Sequence, residues 1–290
     1  MRHILFLGFL SLIIFSCQKD KTPERRTENP QSDSTTLAMY VDLDTTKVSG
    51  SDTVEVQKYS YDNLKRLSKS YYIEYDDGVP GGLYLTDLFY NGTDTLPFKI
   101  VETFYELPSG NADDPDIGYY FYKDGKLTSD SVSHSNDPSV YYVNSYTYDN
   151  NTIISTNIYA STPPIISVDK HYQTKTNGNT TSQFDSSFVD GAYSGSSEVI
   201  FSASYDTKNN PFYNLVSSSI DRIPSSIYAL ETYSEDMTSE KNNPVEIISG
   251  FHLKYVYDYN PNGYPVVARV YDIEGPSQFW FKRVFIYTKL

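Results

Sequence analysis

The feature that most limits what this chain can fold into is the placement of its aromatic residues. They recur at every second position over short stretches, and Asn, Asp, Gly or Pro closes each stretch. Phe251, Leu253, Tyr255, Tyr257 and Tyr259 share one side of an extended segment. Val199-Phe201-Ala203-Tyr205 and Phe279-Phe281-Phe285-Tyr287, the latter around Arg283, repeat the alternation. A period of two is the period of a strand, whose successive side chains point to opposite faces. Tyrosine contributes 29 of the 290 residues, and its apolar ring with a polar tip suits a surface that is half packed and half wet. With no heptad or long helical stripe in the sequence, the expected fold class is all-β, built from half-buried antiparallel strands.

A weak unit repeats through the first half of the chain. Tyr59-Ser60-Tyr61-Asp62, Phe89-Tyr90-Asn91-Gly92, Phe121-Tyr122-Lys123-Asp124-Gly125 and Tyr146-Thr147-Tyr148-Asp149 each end a strand-like run in Tyr and a turn-forming polar residue, and the chain then restarts on an apolar one. The Tyr can close a packed face while the Asp or Asn bonds the turn backbone or accepts a positive φ. Anchors at 61, 90, 122 and 148 are 29, 32 and 26 residues apart, about one hairpin per unit. That irregularity predicts an antiparallel meander of long Tyr-rich hairpins curling towards a barrel, in preference to a solenoid. One short helix is expected at most, where Pro224-Ser225-Ser226 leads into Ile227, Leu230 and Glu231.

The N-terminus carries a different signal. Arg2 and His3 precede an apolar run, Ile4 to Phe15, too short for a permanent membrane helix and suited to a signal peptide. Ile14-Phe15-Ser16-Cys17 resembles a bacterial lipobox, and Cys17 is the one cysteine in the chain. The expected organisation is a lipoprotein signal peptide at 1–16, a disordered tether at 17–36 rich in charge, Pro and Ser/Thr, and a single antiparallel β domain at 37–290. The expected partner at this end is a membrane, held through lipidated Cys17. Cleavage would remove Arg2 and leave 22 basic against 37 acidic residues, a formal charge of −15, so nucleic acid is not an expected partner.

Three segments of the C-terminal third occur in a recognisable order: Tyr205-Asp206-Thr207-Lys208-Asn209-Asn210-Pro211-Phe212, then Lys241-Asn242-Asn243-Pro244, then Tyr255-Val256-Tyr257-Asp258-Tyr259-Asn260-Pro261-Asn262-Gly263-Tyr264-Pro265. They resemble a family of Bacteroidetes lipoproteins of unknown function with a porin-like β fold. The resemblance covers residues 199–290 and the earlier hairpins only in style. It implies a fold and an outer-membrane location, at the cell surface or alternatively on the periplasmic face, and brings no catalytic residues. Gln18-Lys19-Asp20 is similar to the export tag of such surface lipoproteins. Asp33-Ser34-Thr35, Asp44-Thr45-Thr46, Asp52-Thr53-Val54, Asp94-Thr95-Leu96 and Asp130-Ser131-Val132 match the short O-glycosylation pattern of the same bacteria.

Other candidate chemistry is thin. Asp258-Tyr259-Asn260-Pro261-Asn262-Gly263 begins like a calcium loop, but its twelfth position is Arg269 where a bidentate Glu belongs, so a hairpin turn is expected. Asp113-Asp114-Pro115-Asp116 reads as a solvated loop tip. His134, His171 and His252 have no metal-ligand spacing, and no nucleophile elbow or phosphate loop is present. No catalytic residue, metal or cofactor is expected. The leading expectation is a non-enzymatic envelope module whose tyrosines face a glycan or protein partner. A carbohydrate-active hydrolase is the alternative, and it requires two carboxylates in a cleft roughly 5 to 9.5 Å apart.

Overall fold

The computed structural model describes residues 35–44, 52–76, 78–135, 141–149, 152–159, 165–213, 215, 240–249, 251–273 and 278–290. Cys17, the tether up to Ser34 and the proposed helix after Pro224 lie outside the described residues, whereas Thr35 and Thr36, expected to end the tether, open the first strand. The chain divides between Ser34 and Thr35, and the unit from Thr35 to Leu290 is all β. Its first half holds β1 (Thr35–Asp44), β2 (Asp52–Tyr61), β3 (Leu67–Asp76), β4 (Val79–Phe89), β5 (Lys99–Glu106), β6 (Asp116–Lys123), β7 (Lys126–His134) and β8 (Tyr141–Asp149). Then follow β9 (Thr152–Tyr159), β10 (Ile165–Thr176), β11 (Asn179–Val189), β12 (Ala192–Tyr205), β13 (Pro244–Ser249), β14 (Phe251–Tyr259), β15 (Pro265–Asp272) and β16 (Gln278–Lys289).

Every strand pairs antiparallel with its neighbours in sequence, and β1 pairs with β16, from Thr35 opposite Lys289 to Asp44 opposite Phe281. The sheet therefore closes into a barrel, which removes the exposed edges an open meander would leave. The meander expected from the Tyr units is the fold observed, and the closure it was expected to approach is complete. Connections alternate between two ends. The proximal end carries the turn from β2 to β3 and its equivalents, together with Thr35 and Leu290. The distal end carries the loop from β1 to β2 and its equivalents.

The proximal turns show how the repeating unit works. Asp62 Oδ1 accepts from the backbone N–H of Leu64 and of Arg66, both at 2.9 Å, and Lys65 takes a φ of 64°. At the next level inward, the tyrosine that ends an even strand reaches back to the start of the preceding odd strand. Tyr61 donates to the Leu37 carbonyl at 2.6 Å, Tyr90 to Leu67 at 2.6 Å, Tyr148 to Leu127 at 2.9 Å, Tyr205 to Thr180 at 2.6 Å and Tyr287 to Pro265 at 2.6 Å. Each ring thus seals the wall while its hydroxyl satisfies a carbonyl that the sheet leaves over. Burial pushes the Tyr61 hydroxyl up to about 12, which keeps it a donor across the physiological range.

Inward-facing side chains fill the proximal half of the barrel. Leu37, Tyr40, Tyr59, Leu67, Leu88, Ile100, Tyr120, Leu127, Tyr146, Ala268 and Phe285 form one buried cluster. Gly118 leaves the room that Tyr120 takes, since a Cβ there would sit 2.7 Å from the Tyr120 hydroxyl oxygen. A second cluster, Ile247, Leu253, Tyr255 and Val270, lines the wall of β13 to β15.

The outer wall is of mixed polarity. Lys69 and Asp87 pair at 2.9 Å across β3 and β4, and Arg269 pairs with Asp258 at 2.7 Å beside Lys282. His252 lies on the face opposite the aromatic row of β14, as its position in the alternation requires, and contacts Glu246 at 2.8 Å. Arg or Lys at mid-strand on a lipid-facing wall, where Arg269 and Lys282 stand, costs about 2 to 4 kcal/mol each at the bilayer midplane, so this part of the wall is suited to water.

Candidate functional site: a clasped plug and a buried ion cluster

The three sequence motifs of the C-terminal third meet at the proximal end, where the chain leaves β12, enters the barrel and returns as β13. Asp206 is the centre of this clasp. Its carboxylate accepts from the Lys208 N–H at 2.8 Å, from the Asn243 N–H at 3.2 Å and from the Tyr259 hydroxyl. Asn243 donates to the Asn209 carbonyl at 3.1 Å, and Asn210 to the Glu240 carbonyl at 2.9 Å. Asn209 bonds the turn after β14 through the Asn262 carbonyl at 3.1 Å and the Gly263 carbonyl at 3.1 Å. Glu240 is buried and accepts from the Thr180 N–H, while Asn242 and Asn179 bond each other through side chain and backbone. Buried amides and carboxylates are costly unless satisfied, and here the partners of one motif are supplied by the other two.

What the clasp holds is a short plug. Asn210 Oδ1 accepts from the Phe212 N–H at 2.9 Å, turning the chain so that Phe212 and Leu215 enter the barrel, where both are buried. Phe212 meets Tyr40 edge-on with ring centroids 5.8 Å apart, and Phe285 at 6.0 Å. Open sixteen-stranded barrels commonly leave an aqueous channel. In this barrel the plug and the inward tyrosines close the proximal side.

Beyond the plug lies a charge cluster that the sequence did not reveal. Arg283 of β16 donates to both oxygens of Asp42 of β1, at 2.7 and 2.5 Å, and approaches Glu55 of β2 at 3.4 Å. All three residues are buried. The guanidinium lies 4.2 Å from the centre of the Tyr40 ring, so Tyr40 links the ion cluster to the plug. Tyr72 donates to the other Glu55 oxygen at 3.0 Å, and Gln57 bonds Ser70 next to it. Burial, with the neighbouring Asp42 charge as the second cause, pushes the Glu55 carboxyl up to about 8. Arg283 was placed among inward aromatics by the alternation. Its partners were legible only as polar residues in the inward phase of their strands: Asp42 two residues after Tyr40, and Glu55 before Gln57, Tyr59 and Tyr61.

A cavity between plug and wall is lined by Asn210, Phe212, Asn243, Tyr255, Tyr257, Phe281 and Arg283 among others, and among the described residues no Asp or Glu lines it. Elsewhere inside the barrel, Asp130 accepts from Asn144 at 2.8 Å and from Tyr146 at 2.6 Å, and Glu102 lies 3.4 Å from the Thr86 hydroxyl. Asp130 is fully buried, so the Asp130-Ser131-Val132 segment is not displayed as a whole, whereas Asp94 and Thr95 sit in an exposed turn. The segment that began like a calcium loop is a hairpin turn. Asn260 Oδ1 accepts from the N–H groups of Asn262 and Tyr264, both at 3.0 Å, Gly263 has a φ of 78°, and Asp258 points outward to Arg269. Among the described residues no group of three or more His, Cys, Asp or Glu side chains could hold a metal ion. Asp113 and Asp114 are exposed, and the side chains of His134 and His171 lie outside what is described.

No family model matches the sequence, and no curated protein matches it. Among solved structures, a porin-like protein from Bacteroides vulgatus is similar with 14% identity and a TM-score of 0.48, over 88% of this chain and 100% of that one. A porin-like protein from Bacteroides uniformis is similar with 13% identity and a TM-score of 0.49, over 88% of this chain and 97% of that one.

Proposed function

We propose that this chain is a cell-envelope lipoprotein, anchored in the outer membrane through an acylated Cys17 and presenting its barrel at the cell surface as a non-enzymatic binding or scaffold module. The observation that carries the reading is the plugged proximal side of the barrel beside an outer wall that carries charge at mid-strand. Phe212 and Leu215 plug the proximal side, and the inward carboxylates Asp42 and Glu55 are held by Arg283. Recognition is therefore left to the outer wall, where a glycan or protein partner would meet exposed aromatic rings such as Tyr172 and Phe184. A barrel with charges at mid-wall needs a separate membrane anchor, and a di- or triacylated cysteine gains about 0.8 kcal/mol for each buried methylene.

Labelled palmitate should enter the wild-type protein in cells and be absent from Cys17→Ser. Equal labelling of both would end the lipoprotein reading. Glycan-array binding or pull-down with the Cys17→Ser chain tests the module reading. The rival reading, a hydrolase, would need a carboxylate pair open to a cleft, whereas Asp42 and Glu55 are buried together against Arg283. Release of reducing sugar from a glycan panel, abolished by Glu55→Gln, would replace the module reading with that one.

A further inference from the structure

The outer wall holds a row in which an ammonium stands between two exposed rings. Phe89 of β4 lies opposite Lys99 of β5, Lys99 opposite Tyr119 of β6, and Tyr119 opposite Ser131 of β7. All four are in the outward phase of their strands, since their sequence neighbours Leu88, Ile100, Tyr120 and Asp130 are buried inside the barrel. The Lys99 ammonium is 5.4 Å from the centre of the Phe89 ring and 5.7 Å from that of Tyr119. Phe89 and Tyr119 are 43% and 41% exposed, and Phe121, the next outward residue of β6, is 57% exposed.

Among the described residues no carboxylate pairs with Lys99. Asp87, two residues before Phe89 on the same face, is taken by Lys69 at 2.9 Å. Glu102 and Asp116, opposite one another on β5 and β6, are in the inward phase. The turns beside the row add Asp94 and Asp124 against Lys123 and Lys126. The row therefore complements one isolated anion at Lys99, whereas a dense polyanion would be repelled by a chain of net charge −14. Adjacent strands lie about 4.8 Å apart, so rings two strands apart are separated by roughly 10 Å, too far for one sugar ring to cover both and suited to a chain of sugars laid across the strands. Ser129, Ser131 and Ser133, the outward residues of β7 facing Phe121, Tyr119 and Ile117, are short enough to leave the wall flat. Their hydroxyls offer hydrogen bonds that a sugar can use and an acyl chain cannot.

We propose that the row of Phe89, Lys99 and Tyr119, extended by Phe121 and the serines of β7, binds an extended neutral glycan that carries an isolated uronic acid. The rings take the apolar faces of backbone sugars, and the Lys99 ammonium takes the carboxylate in a charge-assisted hydrogen bond. This rests on the reading of the chain as a binding module and names the ligand class for one part of its outer wall.

The test is calorimetric titration of the Cys17→Ser chain with three xylan oligosaccharides of equal length: one bearing a single glucuronate, its methyl ester, and the unsubstituted chain. The glucuronate form is expected to bind at least about tenfold more tightly than the other two, the scale of one charge-assisted pair. Lys99→Gln should erase that preference, so that the three bind alike, and Lys99→Arg should keep it. Phe89→Ala/Tyr119→Ala should weaken the glucuronate form at least about tenfold, with circular dichroism confirming the fold of each variant. Equal binding of the three by the parent chain, a preference that survives Lys99→Gln, or a double variant that binds as the parent does would each overturn the proposal. Binding of none of the three overturns it too, and a glycan-array or pull-down signal from another partner would then leave the module reading standing alone. Binding to phosphatidylglycerol vesicles in place of the oligosaccharide, lost in Lys99→Gln, would overturn it in favour of a lipid surface.

Discussion

The tyrosine hydroxyls show how much one atom contributes in this fold. Tyr148 closes the wall and donates to the Leu127 carbonyl at 2.9 Å, whereas the equivalent Tyr122 hydroxyl is buried with no hydrogen-bond partner among the described residues. Removing a satisfied donor strands a buried carbonyl, while removing an unsatisfied one relieves a desolvated group. Tyr148→Phe and Tyr61→Phe should therefore each cost about 1 kcal/mol in urea unfolding, and Tyr122→Phe should be neutral or slightly stabilising. Equal losses at all three positions would mean that ring packing alone sets their contribution. In the sequence, Tyr61, Tyr122 and Tyr148 belong to the same recurring unit. Which of them finds a carbonyl is settled by a neighbouring strand that the unit does not contain.

Among the elements, the segment between β12 and β13 departs from the hairpin plan. Its residues were visible as motifs, because Asn-Pro and Asn-Asn-Pro break strands and Asp206 follows the Tyr that ends β12. Their purpose was not visible, since Asp206 acts on Asn243 and Tyr259, 37 and 53 residues away in sequence. Phe212→Ala should cost about 3 to 5 kcal/mol as a buried aromatic truncation, if the cavity it leaves does not collapse. Asp206→Ala should act differently, loosening the plug before the barrel. Hydrogen exchange within residues 206–215 should speed up at least about tenfold while amides in β14 and β15 stay protected. Uniform acceleration across the barrel would show that plug and wall open as one unit.

At the scale of the whole molecule, closure brings together residues 241 positions apart, Asp42 on the first strand and Arg283 on the last, with Glu55 beside them. One guanidinium serves two carboxylates in a dry setting, so Glu55 is more readily protonated, its carboxyl pushed from an ordinary 4.5 to about 8. Across that interval the folded barrel binds more protons at Glu55 than the unfolded chain does. The stability from this group is full below about pH 4.5, falls as pH rises through the interval, and is gone above about 8. Glu55→Gln should therefore stabilise the protein at pH 9 by on the order of 1 to 3 kcal/mol and give little at pH 4.5. Melting temperatures at the two pH values check this, and a variant that melts lower at both would show that the ionised carboxylate is what Arg283 requires.

The sequence by itself determined the strands, their inward faces and most of the proximal turns, because these depend on a period of two and on residues within four of one another. Asp62 with Arg66 and Asn260 with Tyr264 are local bonds. Leu37, Leu67, Pro97 and Leu127, all fully buried, recur at intervals of 30 and mark the odd side of each hairpin, a more even rhythm than the tyrosines keep. Only the tertiary structure decided that the meander closes, that Phe212 fills it, and that Asp42, Glu55 and Arg283 share one dry site. Each depends on which strand faces which across the barrel, and a pattern confined to single strands carries no information about that pairing.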